Sequence, residues 1–402
     1  MKKHTMALLW AGAAISITEI YTGGMLIPLG MAKGLLAIVV GHLIGAGLLA
    51  LGSYISFVRK ETAMEGVVFS FGRGGGRIAA FLNVVQLLGW TVVMVVQAAS
   101  AARGIFPAIP FWAAALALSL LVLVWAVILL SPAGRLNEAV VALLALLCCV
   151  LFYEALGAAL GAALGAAFSA AGAGGGEAPA LGMSFSLGLE LSIAMPVSWL
   201  PLAGDYGMKA DGKTCAAWMP FAGYFTGSVL MYAFGLFLAH STGKDIFTFI
   251  AGSAFRVPAC AVVLLSTLTT AFLDLYSAAV SSRQLVKTSS ERLPIVVIGL
   301  AAAAAAVFFP IEKYQSFLET FLTSIGMVFV PIYTVLFLDF FFRREKSRRV
   351  FEPWSLSIAV LGMAVYKLSG VFGVWIPTLL TVLVINFFYT VSAVPRKNPP
   401  PL

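Results

Sequence analysis

Apolar runs, each long enough to cross a lipid bilayer, recur along nearly the whole chain and leave only short polar stretches between them. A bilayer core about 30 Å thick needs about 20 residues of apolar helix to span it. Of the 402 residues, 61% are hydrophobic and only 10% are charged, a balance that no soluble domain can bury. The pattern therefore predicts an all-α polytopic membrane protein.

Twelve membrane spans are predicted from these runs. In chain order they cover about 6–30, 34–58, 78–102, 110–130, 137–156, 182–203, 216–240, 257–281, 294–310, 316–341, 353–369 and 372–392. The loops are too short for a further domain, so we predict one membrane domain over residues 1–402. The first run carries Glu19 and exceeds signal-peptide length, so we expect it to be a retained span. The four cysteines show no paired spacing and predict no cofactor or metal cluster.

The distribution of lysine and arginine predicts the orientation of the chain. With a cytoplasmic N-terminus, only six of the 25 basic residues fall on the outer side, namely Lys33, Arg103, Lys244, Arg256, Lys313 and Lys367. We therefore expect a multi-pass protein of the cell (inner) membrane with both termini in the cytoplasm. The net charge of +8 follows from this topology and favours contact with anionic lipid headgroups over nucleic acid.

Four carboxylates lie well inside predicted spans, and they are Glu19 (span 1), Glu190 (span 6), Asp274 (span 8) and Glu319 (span 10). A charge in the bilayer costs on the order of 3 kcal/mol on insertion scales, so such a residue normally faces a cavity or a partner. Glu154 and Asp339 lie near span ends and are expected to reach the interface. The four central carboxylates therefore indicate functional positions.

Spans 1 and 6 both contain residues that interrupt a helix. Span 1 has Thr22-Gly23-Gly24 followed by Pro28, and span 6 has Pro196. Proline removes a backbone donor, and freed carbonyls at membrane depth are tolerated only inside protein or along a cavity. Two interrupted spans five positions apart indicate an inverted-repeat transporter, with repeats over about 6–156 and 182–341 and two added helices over about 353–392. The alternative is a pair of proline-kinked packing helices, which the carboxylates beside the breaks disfavour.

Span 3 presents a face that combines amides with an aromatic ring. Gln86 and Trp90 are one helical turn apart, and Gln97 lies seven residues further near the same face. Such a surface suits a planar heterocycle, and plain packing is the alternative for Trp90. In span 6, Ser198 and Trp199 follow the proline and are predicted to form a wall or gate near the ligand.

Span 8 holds four hydroxyl side chains within five residues, Ser266, Thr267, Thr269 and Thr270. Hydrogen bonds to carbonyls of the same helix are the ordinary role of such hydroxyls. Neutral oxygens beside freed carbonyls also suit a weakly held monovalent cation. The sequence therefore favours a cation site at this level of the membrane.

The segments that carry a family resemblance are GAAISITEIYTGGMLIPLGMAKGLLAIVVGHLIG (12–45), NVVQLLGWTVVMV (83–95) and ELSIAMPVSWLPLAGDYG (190–207). Together they resemble the nucleobase:cation symporter-1 family and are most similar to its hydroxymethylpyrimidine transporters. The resemblance implies a LeuT-type fold with five-plus-five inverted repeats and twelve transmembrane helices, of which helices 1 and 6 are broken. It also implies cation-coupled uptake of a nucleobase-like ring.

The resemblance also implies site residues. Substrate contacts would come from Glu19, Trp90, the Met195–Trp199 region and Asp274. A sodium site would use the hydroxyls of Ser266 and Thr267 and the backbone carbonyls of about Ile15 and Thr18.

Three positions depart from the family pattern. Met94 stands where some relatives have a polar residue, which leaves Gln86 or Gln97 to serve instead. Phe272 or Asp274 occupies the neighbourhood of the family's helix 8 amide. Gly207 follows the Asp-Tyr pair, where relatives commonly have arginine.

These interpretations predict a secondary transporter, not an enzyme, that imports a pyrimidine by alternating access with Na⁺ or H⁺. The predicted substrate is hydroxymethylpyrimidine, a thiamine precursor, whose ring stacks on Trp90 and whose amidine-like edge meets Glu19 or Glu190. Cytosine, a purine or an allantoin-type ring is the alternative substrate, and a membrane-embedded enzyme or a channel is the remote alternative. The sequence leaves the oligomeric state open and is compatible with a monomer.

Overall fold

The computed structural model describes residues 1–129, 135–169, 182–286, 290–343, 349–372 and 376–391. Helices occupy all twelve predicted spans. The spans formed by one helix are Gly30–Arg59 (span 2), Ala63–Ile105 (3), Phe111–Leu129 (4), Arg135–Ser169 (5), Lys213–Thr242 (7), Arg256–Ser282 (8), Arg292–Val307 (9), Tyr314–Leu338 (10), Pro353–Phe372 (11) and Pro377–Val391 (12). By length and hydropathy alone, seven stretches of the described chain could cross a membrane.

Span 1 is broken, but upstream of the predicted position. Its halves are Lys3–Ala14 (span 1a) and Ile17–Met25 (span 1b), separated by extended backbone at Ser16. The Ser16 hydroxyl accepts a hydrogen bond from the Glu19 backbone N–H, which caps span 1b. Glu19 therefore lies in the first turn after the break. Gly23 and Gly24 lie inside span 1b, which ends at Met25 and is followed by a 3-10 turn over Ile27–Leu29 that contains Pro28.

Close packing against span 7 explains these glycines. A Cβ atom on Gly23 would lie 2.2 Å from the carbonyl oxygen of Tyr232. In the opposite direction, a Cβ atom on Gly235 would lie 1.8 Å from the carbonyl oxygen of Ile20. Small residues let membrane helices approach to backbone contact, so spans 1b and 7 form one tightly packed pair.

Span 6 is also broken, three residues later than predicted. Its halves are Phe185–Ser198 (span 6a) and Leu200–Gly207 (span 6b), with the turn at Trp199. Pro196 lies inside span 6a and does not end it. A single proline removes one backbone bond without stopping the helix. Pro201 sits in the first turn of span 6b, where its missing N–H is not needed.

Span 3 begins earlier than predicted. The glycine-rich segment 70–77 is helical, with one interruption at Gly72, where φ is 74°. Two backbone hydrogen bonds join this kink to the segment before span 11: Gly74 N–H to Val350 carbonyl (2.6 Å) and Glu352 N–H to Phe71 carbonyl (3.1 Å). Span 5 continues past its predicted end to Ser169, and the rest of the Ala/Gly-rich stretch, 170–176, falls outside the described ranges.

Asp339, which was expected at the membrane interface, is buried instead, and so is Asp205. Asp205, at the end of span 6b, is 4% exposed and accepts a hydrogen bond from the Ala63 backbone N–H, an otherwise unpaired donor at the start of span 3. Asp339 is 1% exposed and accepts a hydrogen bond from the Tyr389 hydroxyl. Both carboxylates therefore join helices. Glu154 is half-buried, lies well before the end of its helix at Ser169, and accepts a hydrogen bond from the Ser253 hydroxyl.

Candidate functional site

Gln86 connects span 3 to the break in span 6. Its Nε2 donates hydrogen bonds to the Ser198 carbonyl (2.9 Å) and to Asn83 Oδ1 (3.0 Å). Ser198 closes its own turn by donating its hydroxyl to the Met195 carbonyl, 2.6 Å away. The Gln86 side-chain oxygen is buried and has no hydrogen-bond partner among the described residues. An acceptor therefore remains available where spans 3 and 6 meet.

Trp90 lies one turn further along the same face. It is buried and packs edge-to-face against Phe321 of span 10, with ring centroids 5.3 Å apart. Its indole N–H is buried and makes no hydrogen bond within the described part of the chain. Buried indole donors usually find a partner, so this N–H points to a ligand.

Asp274 lies at the level of Trp90. Asn83 donates a 2.8 Å hydrogen bond to Ser281 near the C-terminal end of span 8. Spans 3 and 8 are antiparallel, because Gly104 at the other end of span 3 approaches Ala251, just before span 8. Trp90 is seven residues after Asn83, and Asp274 is seven residues before Ser281. Because seven residues are two helical turns, each lies two turns from the Asn83–Ser281 contact, on the same face of its helix as the contact residue.

Asp274 is also incompletely paired. The residue is 1% exposed, and its Oδ2 has no hydrogen-bond partner in the described ranges. A buried polar atom without a partner costs roughly 1–3 kcal/mol. Gln86 Oε1, the Trp90 indole N–H and Asp274 Oδ2 are thus an acceptor, a donor and a carboxylate oxygen that have no hydrogen-bond partner among the described residues.

Gln97 lies two turns beyond Trp90 and belongs to a different contact. The Thr18 hydroxyl donates a 2.6 Å hydrogen bond to Gln97 Oε1, and Gln97 Nε2 donates to the Tyr314 hydroxyl. This chain joins spans 1b, 3 and 10. Gln97 therefore lies two helical turns from Trp90, at a contact between three spans.

Glu19 turns away from span 3 and faces span 7. Its Oε1 accepts a hydrogen bond from the Tyr224 hydroxyl (2.7 Å), and its Oε2 accepts one from the Ser228 hydroxyl (2.6 Å). His42 Nε2 lies 2.5 Å from the same Ser228 oxygen, and His42 Nδ1 donates to the Ile38 carbonyl (2.8 Å). The structure thus joins two buried titratable groups through one hydroxyl.

Two proton arrangements satisfy this chain. An ionised Glu19 accepts from Ser228, which in turn accepts from a doubly protonated His42. A protonated Glu19 instead donates to Ser228, which donates to a neutral His42. Glu19, Ser228 and His42 can therefore hold a proton at either end.

Glu190 belongs to a separate cluster. Its carboxylate accepts hydrogen bonds from the Tyr366 hydroxyl (2.6 Å), the Thr378 hydroxyl (2.5 Å) and the Thr378 backbone N–H (3.1 Å). These partners lie on spans 11 and 12. Glu190 and half-buried Glu319 line a cavity of about 570 Å³ on this side of span 6a. The two carboxylates predicted to share a ligand, Glu19 and Glu190, are therefore not brought together.

Trp199 packs away from the span 3 face. Its ring meets Trp10 of span 1a edge-to-face, with centroids 6.3 Å apart. Trp199 is 6% exposed and forms part of the apolar core below the breaks. Trp199 therefore lies next to Ser198 in the chain, with its ring packed against span 1a.

The predicted sodium ligands lie on spans 1 and 8. Ile15 is the first residue of the break in span 1, and the Thr18 carbonyl accepts a 2.8 Å hydrogen bond from the Thr22 hydroxyl. Ser266 and Thr267 are nearly buried, and their hydroxyls donate no hydrogen bond within the described residues. A carbonyl oxygen keeps a second lone pair, so these oxygens remain suitable for a cation. No hydrogen bond joins the two pairs in the described structure.

The partners of the two glutamates were not predicted from the sequence. His42 lies in mid-span 2, and an ionisable residue in a membrane span is itself a signal of function. Tyr224, Tyr366 and Thr378 carry no such signal, because hydroxyl side chains are common in membrane helices. Only the packing of spans 7, 11 and 12 identifies them.

The sequence matches a known protein family, and the fold matches several solved structures. The family of permeases for cytosine/purines, uracil, thiamine and allantoin matches residues 2–357. No curated protein sequence matches the chain. Among solved structures, Mhp1, a nucleobase-cation-symport-1 family transporter in a closed conformation with bromovinylhydantoin bound, is 17% identical with a TM-score of 0.76, covering 97% of this chain and 91% of that one. Its inward-facing conformation gives 0.72 at 16% identity, over 97% and 91% of the two chains.

More distant transporters share the fold. A Na⁺-coupled sialic acid symporter is 12% identical with a TM-score of 0.58, covering 99% of this chain and 98% of that one. The likeness confirms the predicted all-α, LeuT-type fold with helices 1 and 6 broken, while the bounds of the two repeats stay a prediction. The chain belongs to the family of permeases for cytosine/purines, uracil, thiamine and allantoin, and it is a multi-pass membrane transporter of nucleobase-type molecules and not an enzyme.

Proposed function

We propose that this transporter imports hydroxymethylpyrimidine, an aminopyrimidine precursor of thiamine. The observation that carries the proposal is the buried Asp274 oxygen without a partner, at the level of Trp90. An aminopyrimidine presents an amino group beside a ring nitrogen. A carboxylate accepts from the amino group, and when protonated it also donates to the ring nitrogen. Trp90 supplies an aromatic wall for the ring.

The unpaired atoms of span 3 complete this site. Gln86 Oε1 is an acceptor and the Trp90 indole N–H is a donor, and both are buried. They suit the hydroxymethyl group and the second ring nitrogen of the substrate. The ligand would thereby satisfy polar atoms that the protein leaves without partners.

The amidine-like edge is assigned to Asp274 in place of Glu19 or Glu190. Both oxygens of Glu19 accept hydrogen bonds from span 7, and both oxygens of Glu190 accept hydrogen bonds from spans 11 and 12. We propose that Glu190 anchors span 6a and that Glu19 holds span 1b against span 7. Cytosine carries the same amino and ring-nitrogen edge and is the second candidate substrate.

The coupling cation is proposed to be Na⁺ or H⁺. The Ile15 and Thr18 carbonyls with the Ser266 and Thr267 hydroxyls are the proposed sodium site. The Glu19–Ser228–His42 chain is the alternative for a proton. Transport by alternating access, an inner-membrane location with cytoplasmic termini, and a monomeric state complete the proposal.

Uptake of labelled hydroxymethylpyrimidine into proteoliposomes tests the assignment of Asp274. Asp274→Leu removes every hydrogen bond at similar volume and should abolish uptake, whereas Asp274→Asn keeps a donor and an acceptor and should retain part of it. Exposed Asp211 provides the control, because Asp211→Leu should transport like the wild type. Wild-type uptake by Asp274→Leu would contradict the proposed site.

A second pair of variants tests the aromatic wall. Trp90→Phe keeps a ring and should retain uptake with weaker affinity, whereas Trp90→Ala should lose it. Trp112 is 56% exposed on span 4, so Trp112→Ala is the matched control and should transport normally. Equal loss in Trp90→Phe and Trp90→Ala would assign the essential contact to the indole N–H and not to stacking.

A further inference from the structure

A cavity of about 260 Å³, called the outer cavity below, is lined by Gln97 but not by Trp90. Its lining includes Tyr21 of span 1b, Gln97 and Ser100 of span 3, Phe247 and Thr248 of the short helix after span 7, and Tyr314 of span 10. Cavities that hold drug-sized ligands start at about 300 Å³. A single six-membered ring is smaller than such ligands and fits this volume.

The walls of this cavity are aromatic. Tyr21 lies 5.5 Å from Phe247 and 5.2 Å from Tyr314 between ring centroids. Tyr21 and Phe247 are only half-buried, so part of each ring remains open. These rings already contact one another, so a bound heterocycle would pack against the open faces of Tyr21 and Phe247 through offset or edge-to-face contacts. The walls therefore suit a planar heterocycle.

The floor of the cavity is the Gln97 amide. One side-chain N–H of Gln97 reaches Tyr314, and its oxygen accepts from Thr18. A primary amide has two N–H donors and two acceptor lone pairs, so one of each remains free of protein partners among the described residues. One donor beside one acceptor complements a ring nitrogen beside an amino group.

The floor also separates this cavity from the inner site. Gln97 is seven residues from Trp90, which corresponds to about 10 Å along the helix. The Thr18–Gln97–Tyr314 contacts join three spans across that distance. A ring in the outer cavity must therefore break these contacts before it reaches Trp90.

We propose that the outer cavity is a second binding site for the planar heterocyclic substrate, occupied before the ring passes Gln97. The proposal rests on the proposed function for the identity of the ring. It assigns Tyr21 and Phe247 as the stacking surface and Gln97 as the polar contact. The inner and outer sites then lie in sequence on one path, with the Gln97 contacts between them.

Equilibrium binding of labelled hydroxymethylpyrimidine to the purified full-length protein provides the first test. The wild type should show two binding events, and Asp274→Leu should remove one of them. Phe247→Leu should weaken the remaining event about three- to tenfold, the range expected for a lost aromatic contact. Phe255 is 47% exposed just before span 8, and Phe255→Leu should leave both events unchanged.

Thiol protection provides a second test that does not depend on removing a side chain from the cavity wall. In a Cys149→Ala background, which removes the exposed native thiol, Ser100→Cys places a reporter in the cavity. Hydroxymethylpyrimidine should slow its labelling by a small thiol reagent even when Asp274→Leu is present. Thr242→Cys, outside the lining residues, should not be protected.

Three results would overturn the outer site. A single binding event in the wild type, lost entirely in Asp274→Leu, would overturn it and leave the proposed function standing. Labelling of Ser100→Cys at the same rate with and without substrate would do the same. A wild-type protein that binds no hydroxymethylpyrimidine would overturn both the outer site and the proposed function.

Discussion

The hydroxyl of Thr18 donates a 2.6 Å hydrogen bond to the side-chain oxygen of Gln97 and joins the residue beside the break in span 1 to span 3. The next residue, Glu19, faces the opposite way and contacts span 7. Neighbouring residues of one half-helix thus connect it to two different parts of the fold. Span 1b therefore connects span 7 to the Gln97 side chain of span 3.

Thr18→Val should speed substrate release. The change keeps the shape of the side chain and removes one hydrogen bond, which contributes about 0.5–1.5 kcal/mol, or about two- to tenfold in rate. Dissociation of labelled substrate from the purified protein measures it. Thr334→Val is the control, because the buried Thr334 hydroxyl donates to the Val330 carbonyl of its own helix. Equal effects of both changes would show that the Gln97 contact does not close the site.

Glu190→Gln should destabilise the protein and leave substrate affinity unchanged. The amide would face three donors from Tyr366 and Thr378 with one acceptor oxygen and should lose about 1–3 kcal/mol. Thermal unfolding in detergent measures the loss. Glu312 is exposed, so Glu312→Gln should unfold like the wild type. A large fall in affinity with normal stability would return Glu190 to the substrate site.

Gly235→Ala should prevent correct folding. The new Cβ would lie 1.8 Å from the Ile20 carbonyl oxygen, a distance that only separation of spans 1b and 7 can relieve. Gly66 also lies in a helix but has no neighbouring atom within 4 Å of a Cβ, so Gly66→Ala should be tolerated. Size-exclusion profiles of the two purified variants measure the difference. A monodisperse Gly235→Ala protein with wild-type uptake would contradict the tight packing.

Thr267→Ala should raise the sodium concentration needed for half-maximal uptake, since it removes one proposed cation ligand. Thr269→Ala is the matched control, because the Thr269 hydroxyl donates to the Ser266 carbonyl of its own helix. Uptake at graded sodium concentrations with equal pH on both sides measures this. Wild-type uptake that ignores sodium and follows an imposed pH difference would assign coupling to Glu19, Ser228 and His42.

The twelve spans could be predicted because length and hydropathy are local properties of the sequence. The position of each break could not, because glycine serves two purposes. Gly23 and Gly24 suggest an interrupted helix, yet the structure uses them for close contact with Tyr232 and Gly235. Which purpose applies depends on the helix packed against them, and a single segment does not contain that information.

The residue types of the site could be predicted better than their grouping. Burial of Glu19, Glu190 and Asp274 follows from their place in apolar runs. Their directions follow from tertiary packing, which sends Glu190 to spans 11 and 12 and Glu19 to span 7. Of these three carboxylates, Asp274 alone has an oxygen without a hydrogen-bond partner among the described residues, a feature that Asp205 of span 6b shares. This distinction appears only in the folded chain.

Competition binding to the purified protein tests the central claim most directly. Labelled hydroxymethylpyrimidine is bound to the wild type and displaced by unlabelled hydroxymethylpyrimidine, cytosine, adenine or allantoin. Our account predicts saturable binding that hydroxymethylpyrimidine displaces best, followed by cytosine, and that disappears at the inner site in Asp274→Leu. Tighter binding of allantoin or adenine, or undiminished binding by Asp274→Leu, would contradict it.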